Sequence, residues 1–264
     1  MAHQHTATAA DGTPIAWSRT GSGEPVVLVH GITESAASFA PIVSLLADAH
    51  EVITLDLRGH GASGCADSYD LGAMAGDVAA VIGAAGVERP HLVGHSLGGA
   101  VVTAAGSMLD VASVVDVDQS LQLGSFKEQL VPFEAMLRNP EQYQLVIDSI
   151  FETMIGERLS VDEQQRINAL RHADQEVVLG CWELLLTAPV EEIAAAVDGA
   201  LAGYQERTVR YLAVFGLDPG DGYAAWLAKR IPGSIVEYWA DHGHYPHLVD
   251  PDRFVARLHE FWAS

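Results

Sequence analysis

Hydrophobic and polar positions along the chain fall into two regimes. In the first, short unbroken apolar runs alternate with longer segments whose apolar residues recur every three or four positions. Residues 25–30 (Pro-Val-Val-Leu-Val-His) form such a run, as expected of a strand covered on both faces of a parallel sheet. Similar runs at 51–57, 111–117, 209–215 and 234–239, and a shorter one ending at His91-Leu92-Val93, predict further strands. Weak alternation over 6–10 and 15–20, broken by Asp11-Gly12-Thr13-Pro14, predicts a leading hairpin. Between the strands, helical spacing runs over 38–47 (Phe39, Ile42, Leu45, Leu46), 71–85 (Met74, Val78, Val81, Ile82), 223–231 and 254–262. An apolar helix also begins at Leu97. Strands alternating with helices define an α/β fold with a mostly parallel sheet flanked by helices.

The second regime lies between Gln119 and Thr208, where no strand pattern occurs. Stripes such as Val146, Ile147, Ile150, Phe151 and Met154 recur there at helical spacing. These residues predict several helices inserted after one strand, with the carboxyl edge of the sheet as the simplest place to pack. The expected organisation is a core over 1–118 and 209–264, with a helical cap inserted at 119–208. A chain of 264 residues can bury a large core.

Charge narrows the function. With 14 Lys and Arg against 35 Asp and Glu, the net charge is −21, a field that disfavours nucleic acid and anionic membranes. The expected partner is a small-molecule substrate, and the expected assembly is a monomer or homodimer. Cys65 and Cys181 lie far apart and fit neither a metal-ligand spacing nor a disulfide framework. His3 and His5 read as part of a ragged terminus rather than as metal ligands. We therefore expect no metal and no cofactor. No signal-peptide pattern or membrane-length apolar run occurs, which predicts a soluble, cytoplasmic protein.

The candidate chemistry starts at Gly94-His95-Ser96-Leu97-Gly98, between a predicted strand and a predicted helix. Reversing direction in so few residues strains the central residue and needs small neighbours where chain segments approach. The Ser96 hydroxyl then stands at the tip of the turn, with the Leu97 amide beside it at a helix N-terminus. A serine hydroxyl is a poor nucleophile at neutral pH. It needs a base, and a carboxylate to orient that base and stabilise its charged form. Loops after later strands offer Asp118, Asp218 and Asp221 as acids, and His242 and His244 as bases.

Taken together, His30-Gly31, Asp56 to Ser63 (Asp-Leu-Arg-Gly-His-Gly-Ala-Ser), the Ser96 elbow, Asp218 and Gly243-His244-Tyr245-Pro246-His247 resemble the α/β-hydrolase fold superfamily over nearly the whole chain. The resemblance implies an eight-stranded-type sheet with a variable cap. It also implies Ser96 as nucleophile, His244 as base, and the amides of Ile32 and Leu97 as the oxyanion hole. For the acid it points first to Asp218, after the penultimate strand, although the loop from Gly216 is one residue short of the usual pattern. Asp118 is the alternative, since some relatives carry the acid there, and Asp221 is a third. His247 reads as packing, and His30 and His60 as loop scaffolding.

A serine at 96, where epoxide- and halide-cleaving relatives carry aspartate, implies attack on an acyl carbon. The expected reaction is hydrolysis of a small, largely hydrophobic carboxylic ester or lactone. The same residues would also serve C–C bond hydrolysis, perhydrolase or lyase chemistry, or a non-catalytic ligand-binding member.

Overall fold

A computed structural model describes residues 5–263. His3 therefore lies outside the described residues, while the ring of His5 stacks on Trp17. Eight strands form one sheet: β1 (His5–Thr8), β2 (Pro14–Gly21), β3 (Glu24–Val29), β4 (His50–Leu55), β5 (His91–His95), β6 (Ser113–Val117), β7 (Arg210–Phe215) and β8 (Ile235–Tyr238). Their order is β1-β2-β4-β3-β5-β6-β7-β8. The first two ladders are antiparallel, as a hairpin and its return require, and every other ladder is parallel. β3 and β5, the unbroken apolar runs, lie in the middle of the sheet, and Val26 to Val29 have no exposed surface.

The helices, in chain order, are α1 (Ala40–Leu46), α2 (Leu71–Ala85), α3 (Leu97–Met108), α4 (Gly124–Leu130), α5 (Glu134–Leu137) and α6 (Tyr143–Met154). They continue with α7 (Val161–Leu170), α8 (Gln175–Thr187), α9 (Val190–Leu201), α10 (Tyr223–Ala228), α11 (Pro246–Val249) and α12 (Pro251–Ala263). Side chains of α2 and α3 fill one face of the sheet, through Val78, Val81, Val101 and Val102. Those of α1 and α12 fill the other, through Ile42, Leu46, Phe254 and Leu258. Several ends differ from expectation. Helix α10 stops at Ala228, three residues early, as the Arg230 amide tightens onto the Leu227 carbonyl and Pro232 disfavours helical backbone at the residue before it. Helix α12 begins three residues before the predicted start, on Pro251, whose missing N–H costs nothing in a first turn.

Six helices, α4 to α9, occupy the chain between β6 and β7, and no strand occurs there among the described residues. They bury a core of their own that includes Leu137, Ile147, Phe151, Trp182 and Ile193. Ile32, from the loop after β3, joins that core and ties the sheet edge to the helical segment. Among the described residues, no helix is long and apolar enough to cross a membrane. Both cysteines are free thiols.

Burial of histidines sets an acid limit on the fold. Burial pushes His60 and His91 down to about 4, and lowers His30 and His247 as well. Above the ordinary value of 6.5, neither the folded nor the unfolded chain protonates these rings. Below it the unfolded chain takes up protons that the folded chain refuses, so stability falls as pH drops from 6.5 towards 4. A buried ring such as His60 contributes a slope of about 1.4 kcal/mol per pH unit. Thermal unfolding followed from pH 7 to 4.5 should show a steep loss, made shallower by His60→Gln. A midpoint constant over that range would refute this account.

Candidate active site

The parallel strands β3, β5, β6 and β7 end at one edge of the sheet, and the site is built from the loops that leave it. At the end of β5 the chain turns directly into α3. Ser96, the pivot, has φ 53° and ψ −126°, a strained conformation for a residue with a side chain. A Cβ on Gly94 would run into the Gly98 carbonyl, and one on Gly98 would run into the Val29 carbonyl, so neither position admits a larger residue. The Ser96 amide donates to the Val117 carbonyl at 2.9 Å, which hooks the turn to the end of β6, next to Asp118. Leu97 opens α3, so its N–H belongs to the first turn, where helix amides have no intrahelical acceptor.

The loop after β3 meets the turn from the other side. A Cβ built on Gly31 would stand 3.1 Å from the Ser96 Cβ, so the chain around Ile32 lies against the serine. His30 fastens this loop to the one after β4: its Nδ1–H donates to the Gly31 carbonyl at 2.7 Å, and its Nε2 accepts from the Leu57 amide at 3.0 Å. Asp56 and Arg58 carry that second loop. The Asp56 carboxylate accepts from the amides of Ala36 and Ala62, and the Arg58 guanidinium grips buried Asp77 through two bonds of 2.7 and 2.6 Å. The Asp56 to Ser63 segment is thus a brace for the neighbouring loops.

His244 is held at three points. Its Nδ1–H donates to Asp118 Oδ2 at 2.6 Å, its amide donates to the Met154 carbonyl at 2.8 Å, and its own carbonyl accepts from His95 Nε2–H at 2.8 Å. The second of these bonds links the imidazole's backbone to the end of α6, in the inserted helical segment. The third comes from the residue beside the serine, whose ring is fully buried and faces Glu34 Oε2 at 3.6 Å. Burial alone would raise the Glu34 carboxyl, but the facing His95 imidazole holds it below its ordinary value. Glu34 carries no sequence signal: it is a lone carboxylate in a loop, and only the tertiary packing buries it.

The carboxylate is the point of correction. Asp218, the first expectation from the resemblance, is exposed, and its Oδ1 accepts from the Gly220 amide two residues on. The partner of His244 is Asp118, the alternative. The short loop after β7 explains the difference, because Asp218 closes a turn on itself within that loop. The same loop instead presents the amides of Gly216 and Leu217 to Asp118 Oδ1, at 2.7 and 2.9 Å. Asp118 reaches both loops from a strained backbone, φ 56°, at the end of β6. His242, the rival base, is directed elsewhere: its Nδ1–H donates to the Ala240 carbonyl and its ring lies against Trp239. His247 packs among Phe39, His95 and Phe254.

Ser96, Leu97, Ile32, Asp118 and His244 all line one cavity of about 910 Å³ between the sheet edge and the inserted helices. Phe126, Phe151, Trp182 and Phe215 supply aromatic walls, and no lysine or arginine is among the lining residues. The arrangement offers a hydroxyl, an imidazole fixed by a carboxylate, and two backbone amides around one apolar space.

A mostly parallel eight-stranded sheet, with a strained serine turn after its fifth strand and a histidine after its last strand paired with an aspartate after its sixth, defines an α/β-hydrolase fold. The sequence pattern of the Alpha/beta hydrolase family matches residues 26–257, and the chain belongs to that family. The 2-(acetamidomethylene)succinate hydrolase of Mesorhizobium japonicum is 41% identical over 249 residues, covering 91% of this chain and 88% of the relative. The dihydrolipoyllysine-residue acetyltransferase component of the acetoin cleaving system of Cupriavidus necator is 28% identical over 266 residues; the match covers 94% of this chain but spans only 66% of that protein. The crystal structure of the esterase RhEst1 from Rhodococcus sp. ECU1013 superposes with a TM-score of 0.73 at 28% identity, covering 98% of each chain.

Proposed function

We propose that this chain is a serine hydrolase that cleaves a small, largely hydrophobic carboxylic ester or lactone through an acyl-enzyme on Ser96. In this reading the His244 Nε2 takes the Ser96 proton as the oxygen attacks the acyl carbon, and Asp118 stabilises the imidazolium that results. The amides of Ile32 and Leu97 receive the developing oxyanion, and removing one such donor typically costs about 3–4 kcal/mol of barrier. His244 then returns its proton to the leaving oxygen. Water clears the acyl group by the same steps in reverse. The helical segment at 119–208 serves as the cap that shapes the acyl and alcohol sites.

The observation that carries this reading is the 2.6 Å bond from His244 to a buried Asp118, in the cavity that Ser96 also lines. The esterase identity of the Rhodococcus neighbour supports ester chemistry. The lining has no lysine or arginine and includes Asp67, Asp70 and Glu183, which disfavours an anionic substrate such as the dicarboxylate named for the Mesorhizobium relative. Incubation with a fluorophosphonate, followed by peptide mass spectrometry, should place one adduct on Ser96. A folded protein that stays unlabelled would instead indicate a non-catalytic binder. Assays of aryl esters beside β-diketones and peroxide separate ester hydrolysis from C–C cleavage and perhydrolase chemistry.

A further inference from the structure

The cavity, at about 910 Å³, is much larger than a short ester requires, and one side of its lining runs along α3. Leu97, Ala100, Ala104 and Met108 all line it, spaced three or four residues apart, so they form one stripe along the full length of the helix. From Leu97 to Met108 that stripe runs about 16 Å, at 1.5 Å per residue. Ala196, Val197, Gly199 and Ala200 of α9 line it as well, and of these Ala196 and Gly199 are exposed. A Cβ at Gly199 would meet no atom within 4 Å, so the space beside it is open. At the far end Met108 is 53% exposed, and the arm opens to solvent there. The Ser107 hydroxyl, a polar group on this stripe, is already taken by the Gly203 amide at 3.0 Å. The aromatic walls come from the inserted helices (Phe126, Phe151, Trp182) and from Phe215 at the end of β7.

From this geometry we infer that the arm along α3 receives an extended alkyl chain of about twelve carbons carried by the ester, since each bond of an extended zigzag advances ~1.3 Å. The inference rests on the serine-hydrolase reading and names its substrate class. The compact, aromatic-lined region beneath α6 and α8 holds the other side of the ester. Because the stripe is apolar and uncharged, each methylene laid on it leaves water. Full burial of a methylene is worth roughly fourfold in binding, and an arm partly open to solvent should give about two- to threefold. The open end at Met108 makes the dependence flatten beyond the length of the arm rather than collapse.

The test measures kcat/KM for p-nitrophenyl esters with acyl chains of increasing length, and for acetate esters of alcohols of increasing length. One series, and not the other, should rise two- to threefold per methylene to a plateau at about twelve carbons. That series identifies which side of the ester enters the arm. Gly199→Phe should lower the ratio of decanoyl-length to acetyl-length activity at least tenfold while leaving the shortest ester unchanged. Ala196→Phe, at an exposed position, should do the same and serves if the first variant does not fold. A flat response in both series, or an equal loss for short and long esters in the filled variants, overturns the inference. Labelling of Ser96 by alkyl fluorophosphonates separates the two failures. Labelling at one rate for all chain lengths removes the arm but keeps the hydrolase, whereas no labelling at any length removes both.

Discussion

Replacing Ser96 by alanine should lower kcat on an activated aryl ester by about 10⁴- to 10⁶-fold while the protein stays folded. In the proposed acyl-enzyme mechanism the change removes the atom that bonds to the acyl carbon, whereas the cavity, the two amides and His244 keep their places. Alanine at this position still bears a Cβ, so the strained φ of 53° is carried by the variant as it is by the serine. KM should therefore move little. The burst of product in the first turnover should vanish together with the steady-state rate. A variant that turns over at the wild-type rate would end the acyl-enzyme account, and a variant that loses its fold would show up in its thermal transition.

The second large effect distinguishes two aspartates. Asp118→Asn should cost about 10³- to 10⁴-fold in kcat, and Asp218→Asn less than about twofold. The reason lies in hydrogen-bond direction. Gly216 and Leu217 donate two amides to one oxygen of Asp118, so the asparagine oxygen will turn towards them. Its NH₂ then faces His244 Nδ1, which can only accept from it, and the imidazole is left with its proton on Nε2. A ring in that tautomer cannot take the Ser96 proton. Asp218 has no such place: its oxygen caps the Gly220 amide at the surface, and the amide of asparagine accepts there equally well. Parallel measurement of kcat/KM in the two variants decides the assignment, and the opposite ranking would return the role to Asp218.

Much of the architecture is legible before any coordinates. Unbroken runs such as Val26 to Val29 are strands because only a site covered on both faces tolerates so many adjacent apolar side chains. The alternation of such runs with helical stripes leaves a parallel sheet as the simplest arrangement. The serine turn is equally local. Two glycines and a serine across a strand–helix junction specify a tight reversal, and the close approaches at Gly94 and Gly98 show why no other residue fits there.

Which carboxylate meets the imidazole is a different kind of question. Asp118 and Asp218 both follow a strand of the same parallel sheet, and the short loop after Gly216 does not by itself say which of them meets the imidazole. The distinction arises from the length of the loop after β7 and from two backbone amides that this loop turns towards its neighbour. Glu34 and His95 are the same case: burial and the tie to the His244 carbonyl depend on chain segments 149 residues apart. The chain's own order of residues thus determined the strands, the helical insertion and the turn that raises Ser96, because each follows from short-range sterics and from periodic burial. Only the folded molecule chose Asp118 and shaped the long cavity, because both depend on where separate loops and helices come to rest against one another.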